Sequence, residues 1–107
     1  RKDDIVWFWR QYLPDVSVDQ RNPLACPMYA NSHADLPPAF VGTAECDPIR
    51  DSAEAYGNKL KQAGVAVEMH RYPGMPHGFV SMVSVVPAAR QAVSDAGTWL
   101  CGRFAEA

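Results

Sequence analysis

Three observations predict an α/β fold built on parallel strands with flanking helices. The run Ala39-Phe40-Val41-Gly42-Thr43-Ala44 is almost continuously apolar, the pattern of a strand covered on both faces. Ala53, Tyr56, Leu60 and Ala63 then recur at helical spacing. Val65, Val67 and Met69 alternate with Ala66, Glu68 and His70, which is the period of a strand. Strand, helix and strand in so short a span make a βαβ unit, whose right-handed crossover leaves the two strands parallel.

Each element has its own signals. Residues 3–13 read as a helix: Asp3 is placed to cap it, Ile5, Trp9 and Tyr12 form a stripe with Phe8 beside it, and Pro14 stops it. Trp7 lies off that stripe, so the helix carries aromatic side chains on more than one face. Residues 14–38 hold Pro14, Pro23, Pro27, Pro37 and Pro38 with the turn formers Asn22, Asn31 and Ser32. They are expected to wrap over a surface, with a short helical turn near Leu24 to Met28. The first strand ends near Glu45, and Asp47-Pro48 makes a turn. Asp51 with Glu54 resembles a capping box, and Gly64 closes the helix. After the second strand comes a turn-rich stretch at Pro73, Gly74, Pro76 and Gly78. Pro87 opens a last helix with Ala89, Ala92, Val93, Ala96, Trp99 and Leu100 on its apolar face. Two parallel strands leave open edges and need cover on both faces, so the rest of the sheet is expected in polypeptide outside these residues.

Composition narrows the function classes. The chain has 107 residues, 48% of them hydrophobic, which suffices for one modest core. Its formal net charge is -2 with no cluster of Lys and Arg, so it lacks the electrostatic footprint of a nucleic-acid binder. No apolar run approaches the ~20 residues of a transmembrane helix. The charged start, Arg1-Lys2-Asp3-Asp4, is not a signal peptide, and a cytoplasmic location is the default expectation. Cys26, Cys46 and Cys101 are an odd number and read as buried or part-buried free thiols in a reducing compartment. His33, His70, His77 and the cysteines lack the tight spacing of a metal site, so no metal is implied.

The chemistry is concentrated in two loops. In an open parallel sheet, functional side chains gather beyond the carboxyl ends of the strands. Asp47 lies just past the first strand and His77 past the second. A carboxylate there would accept the proton of one imidazole nitrogen and leave the other to take a proton from a nucleophile. Taken alone, His77 is more commonly a surface or hydrogen-bonded structural histidine, and Asp47 is equally simply a turn-forming Asp before Pro.

The motifs decide between these readings. Leu36-Pro37-Pro38-Ala39 stands before the strand and Asp47-Pro48-Ile49-Arg50-Asp51 after it. Then come Ala55-Tyr56 and Leu60, Ala63-Gly64-Val65, and Arg71-Tyr72-Pro73-Gly74-Met75 leading to His77-Gly78-Phe79. By these motifs residues 36–80 resemble the C-terminal part of the hormone-sensitive-lipase-like carboxylesterases, members of the α/β-hydrolase fold. Residues 7–13 resemble a lid or cap segment, and Asn22-Pro23 the chain that leads out of it. The implied organisation is a lid or cap helix and connection over residues 1–22, then the C-terminal portion of an incomplete catalytic domain over residues 23–107.

By that resemblance Asp47 is the triad acid and His77 the triad base, and no organic cofactor is implied. Met75, Phe79 and Met82, with Trp7, Phe8 and Tyr12 from the lid, are expected to edge the ester pocket. Arg50 is expected to hold the turn through a carboxylate, and Asp51 to start the helix. Neither the Gly-x-Ser-x-Gly turn nor the His-Gly-Gly-Gly-like loop of this fold occurs in the chain. Ser52 and Ser81 lack the flanking glycines. The nucleophile and oxyanion hole are therefore expected in an N-terminal segment or companion chain of the same hydrolase, with a small-molecule ester as substrate. Association into a homo-oligomer is compatible with the sequence. The rival reading is a non-catalytic binding or structural chain derived from a hydrolase.

Overall fold

A computed structural model describes residues 2–106; Arg1 and Ala107, the outer ends of the two expected segments, lie outside them. Helix α1 spans Lys2–Tyr12 and a single helical turn, α2, spans Val16–Asp19. Strand β1 (Ala39–Cys46), helix α3 (Arg50–Gln62) and strand β2 (Val67–Pro76) come next, and helix α4 (Pro87–Ala105) ends the molecule. Short 3-10 turns cover Pro27–Tyr29 and Phe79–Ser81. No helix among the described residues is long and apolar enough to cross a membrane.

The strands pair in parallel, as the βαβ pattern requires, with Ala39 opposite Val67 and Ala44 opposite Tyr72. Strand periodicity sorts their side chains onto two faces. Helix α3 covers the face that carries Val41 and Met69. It comes so close that a Cβ on Gly57 would sit 3.0 Å from Met69 Sδ and 3.4 Å from Val41 Cγ2. Helix α4 covers the other face, where Ala44, Tyr72 and Phe79 join Ala89 and Ala92 in the main buried cluster. Pro87 occupies the first turn of α4, where a missing N–H costs nothing. Gly64 ends α3 at φ 85°, a left-handed conformation that glycine adopts without strain.

Several local expectations are corrected. There is no capping box at the start of α3: its cap is Ile49, without a side-chain bond. Glu54 turns to the sheet instead, where its Oε1 accepts from Thr43 Oγ1 at 2.9 Å and from Arg71 Nε at 2.8 Å, while Oε2 accepts from Arg71 Nη2. A two-point, charge-assisted pair outcompetes a single neutral cap bond. It also holds the Glu54 carboxyl down at about 2, first through Arg71 and then Thr43, with burial opposing. The helical turn expected near Leu24 to Met28 forms later, at Pro27–Tyr29. Strand β2 begins at Val67 and runs through Pro73 and Gly74 to Pro76, a stretch whose composition reads as turn. On α4, Ala89 and Ala92 are buried but Val93 and Leu100 are exposed, and of the thiols expected to be covered Cys26 is half-buried while Cys46 and Cys101 are exposed.

The middle of residues 14–38 packs against α3. Lys59 Nζ on α3 donates to the Met28 carbonyl at 2.6 Å. Buried His33 donates Nε2–H to the Pro27 carbonyl at 2.9 Å and packs edge-on against Tyr56 of α3. A carbonyl can only accept, so Nε2 carries the proton.

Candidate active site

The site is assembled where the ladder becomes irregular. Partner numbers differ by 28 from Ala39↔Val67 to Ala44↔Tyr72, but by 30 at Cys46↔Pro76. Two extra residues of β2 are therefore taken up around Pro73, Gly74 and Met75, where Gly74 adopts φ 69°. A bulge of this kind bends its strand and re-aims the side chains beyond it. Here it carries His77 forward by two positions, to face Asp47.

Each loop then fixes its own side chain. Asp47 Oδ1 accepts the Ile49 N–H at 2.9 Å, and the Asp47 carbonyl accepts the Arg50 N–H at 3.1 Å. This Asx turn, with Pro48 presetting the backbone, launches α3 and leaves Oδ2 pointing away from the helix. Arg50 grips the turn from outside, Nη1 donating to the Glu45 carbonyl at 2.6 Å and Nε to Asp51 Oδ1 at 2.8 Å. After His77 the chain reverses at Gly78, φ 75°, and Phe79 enters the core at 5% exposure against Tyr72. Phe79 thus anchors the loop that presents His77.

His77 Nδ1 lies 2.8 Å from Asp47 Oδ2. A carboxylate accepts, so Nδ1 carries the proton and Nε2 bears the lone pair of the neutral ring. The two partners differ in accessibility: the Asp47 side chain is 11% exposed, that of His77 66%. Burial pushes the Asp47 carboxyl up, but the Ile49 N–H and the His77 hydrogen bond together outweigh it and hold the group below its ordinary value. Asp47 is an ionised, largely covered acceptor, and the His77 ring is reachable from solvent.

A cavity of about 530 Å³ opens beside this pair. Its walls are Asp47, Pro48, Ile49 and His77 on one side and Asp4, Ile5, Phe8, Trp9 and Tyr12 of α1 on the other. The spacing of Ile5, Phe8, Trp9 and Tyr12 is that of one helix face, so the stripe legible in the sequence becomes a cavity wall. Of the residues expected at the pocket, Phe8 and Tyr12 line this cavity. Trp7 sits one step around the helix from Phe8, with its ring edge-on to it. Phe79 lies in the core with Met75 packed against the same cluster, and Met82 is exposed after the 3-10 turn. Phe79 instead lines a smaller cavity of about 170 Å³ between the sheet and α4.

Ser52 and Ser81 donate their hydroxyls to the carbonyls of Ile49 and Gly78, at 3.1 and 2.8 Å. Both serve local turns. His70 pairs with Glu68 at 2.7 Å and stacks on Phe40, on the α4 face of the sheet. Sequence reasoning missed Glu45, whose Oε2 accepts the Gly74 N–H at 2.6 Å, and it misread Glu54. A single acidic residue in a strand gives no signal of the partner it will meet from another strand.

Comparison with known proteins identifies the fold family. A family model described as the alpha/beta hydrolase fold matches residues 1–81. Carboxylesterase NlhH of Mycobacterium tuberculosis is 43% identical over 94 residues, which cover 85% of this chain and 29% of that protein. Carboxylic ester hydrolase LipN of the same organism is 41% identical over 81 residues, 76% of this chain and 22% of that protein. The solved structure of a hyperthermophilic esterase from Pyrobaculum calidifontis superposes with a TM-score of 0.84 at 42% identity, covering 90% of this chain and 31% of that one. An alpha/beta hydrolase enzyme from the metagenome of Lake Arreo superposes at 0.88 with 35% identity, covering 97% and 32%. The chain thus spans about a fifth to a third of the length of the relatives it matches.

Proposed function

This chain belongs to the alpha/beta hydrolase fold family, in its hormone-sensitive-lipase-like carboxylesterase group, and from that premise we propose that it supplies the acid and base of a Ser–His–Asp ester hydrolase. The observation that carries the reading is the 2.8 Å hydrogen bond between His77 Nδ1 and Asp47 Oδ2 at the wall of an apolar cavity. The nucleophilic serine and the oxyanion donors belong to an N-terminal segment or companion chain of the same hydrolase.

Each residue then has a defined task. His77 Nε2 takes the proton of the serine hydroxyl as its oxygen attacks the ester carbonyl carbon. The carbonyl π pair moves onto oxygen, where backbone N–H groups of the other segment stabilise it. Asp47 stabilises the imidazolium across the Nδ1–Oδ2 bond. Collapse of the tetrahedral intermediate breaks the bond to the alkoxy group, which leaves with the proton from Nε2. Water, deprotonated by the same nitrogen, resolves the acyl-enzyme and regenerates the serine. Ile5, Phe8, Trp9 and Tyr12 offer apolar cover to the ester, and by analogy with lid-bearing carboxylesterases the substrate is a short or medium acyl ester.

The test uses the whole protein that carries these residues, treated with a fluorophosphonate, digested, and mapped by peptide mass. Label on the serine-bearing segment, with residues 1–107 unlabelled, is the expected result. Label within residues 1–107, or no label and no ester turnover, would overturn the reading in favour of a non-catalytic hydrolase relative.

A further inference from the structure

We propose that Glu45 is a positioning residue for the Asp47–His77 pair, strapping the end of β1 to the bulge of β2 so that the two loops meet at hydrogen-bonding distance. The proposal rests on the assignment of that pair as acid and base. Glu45 stands two residues before Asp47, and its Oε2 accepts the N–H of Gly74, three residues before His77, at 2.6 Å. Its own carbonyl accepts from Arg50 Nη1 at 2.6 Å, which ties the same residue to the turn that carries Asp47. One side chain and one carbonyl therefore connect both loops.

The strap acts where the backbone ladder does not. Between Ala44↔Tyr72 and Cys46↔Pro76 the register shifts, and Gly74 lies inside the shift at φ 69°. A loop leaving an irregular stretch has more freedom than one leaving a regular ladder, and an Nδ1–H···O bond weakens steeply with angle and distance. Displacement by about 1 Å of a catalytic group can cost about 10²-fold in rate. The carboxylate serves here as an acceptor and not as a charge, because its partner, the Gly74 N–H, is a neutral donor. What the strap requires is an acceptor oxygen at the length of a glutamate side chain. Glu45→Gln keeps it, Glu45→Asp falls short by a methylene, and Glu45→Ala removes it.

The experiment measures kcat and KM on a small activated ester, together with the low-field proton resonance of His77 Nδ1–H, in the whole protein and its three variants. Glu45→Ala and Glu45→Asp are expected to broaden or lose the resonance and to lower kcat up to about 10²-fold with KM little changed, while Glu45→Gln recovers both. An unaltered resonance and kcat in Glu45→Ala overturns the proposal, as does a Glu45→Gln variant as impaired as Glu45→Ala. If Glu45→Ala does not fold, Glu45→Asp and Glu45→Gln decide by the same two readouts. A wild-type protein that shows the resonance but turns over no ester refutes the enzymatic reading, and the resonance series still judges the strap.

Discussion

Asp47 divides its two carboxylate oxygens between the turn and His77. Oδ1 closes the turn that starts α3, and Oδ2 holds the imidazole of His77. An amide at this position keeps the size of the side chain but can offer His77 an N–H instead of an acceptor, which selects the wrong tautomer. Asp47→Asn is therefore expected to lower kcat of the whole protein by about 10⁴-fold with the fold intact, as read from steady-state kinetics and circular dichroism. A drop below about tenfold would mean that His77 does not depend on Asp47 for its proton. Phe79 shows the reverse economy: it has no reacting atom, yet its burial two residues after His77 fixes where that loop can go.

At the level of elements, α3 is held to the sheet by one very close approach and one ionic clasp. Gly57 is the approach. An added methyl would meet the far end of the Met69 side chain, which can turn away. Alanine also gains about 0.5–1 kcal/mol of helix preference over glycine. Gly57→Ala is thus expected to lie within about 1 kcal/mol of wild type in denaturant unfolding, and Gly57→Leu to lose about 1–3 kcal/mol by overpacking. The clasp is Glu54 with Arg71 and Thr43. Because the folded state lowers the Glu54 carboxyl from 4.5 to about 2, its stabilisation is complete above pH 4.5 and is lost as pH falls toward 2. Glu54→Gln should flatten that part of the stability profile, and added salt should weaken it in the wild type, since the pair is within reach of solvent. A Glu54→Gln profile that still falls as steeply between those values would transfer the effect to another carboxylate.

As a whole, the described residues form a slab of 41 × 36 × 18 Å with a radius of gyration of 15.6 Å. A compact domain of this length has about 13 Å. No large side chain among the described residues is fully buried, while Trp7, Phe8, Tyr12, Leu100 and Phe104 expose from 46% to 73% of their surface. Apolar surface on this scale calls for cover. Residues 1–107 in isolation are accordingly expected to hydrolyse no activated ester above the buffer rate and to bind a hydrophobic dye. Turnover by that isolated chain would place a nucleophile within it.

The two-strand α/β plan, the placement of α1, α3 and α4 and the candidate pair Asp47 and His77 are all legible in the sequence, because periodicity and short motifs are local properties of the chain. The same holds for Gly64, whose place at the end of α3 comes from its lack of a Cβ. What only the tertiary structure decides is which distant groups meet. The two-residue shift that brings His77 opposite Asp47, the turn of Glu54 toward Arg71 rather than toward its own helix end, and the reach of Glu45 to Gly74 each join residues on different elements. So does the facing of Ile5, Phe8, Trp9 and Tyr12 across a cavity to His77. Local propensity sets where an element begins and which side is apolar. The partner of a polar side chain at its end is set by competition among all the donors and acceptors that packing brings within reach, and no window of neighbouring residues contains that competition.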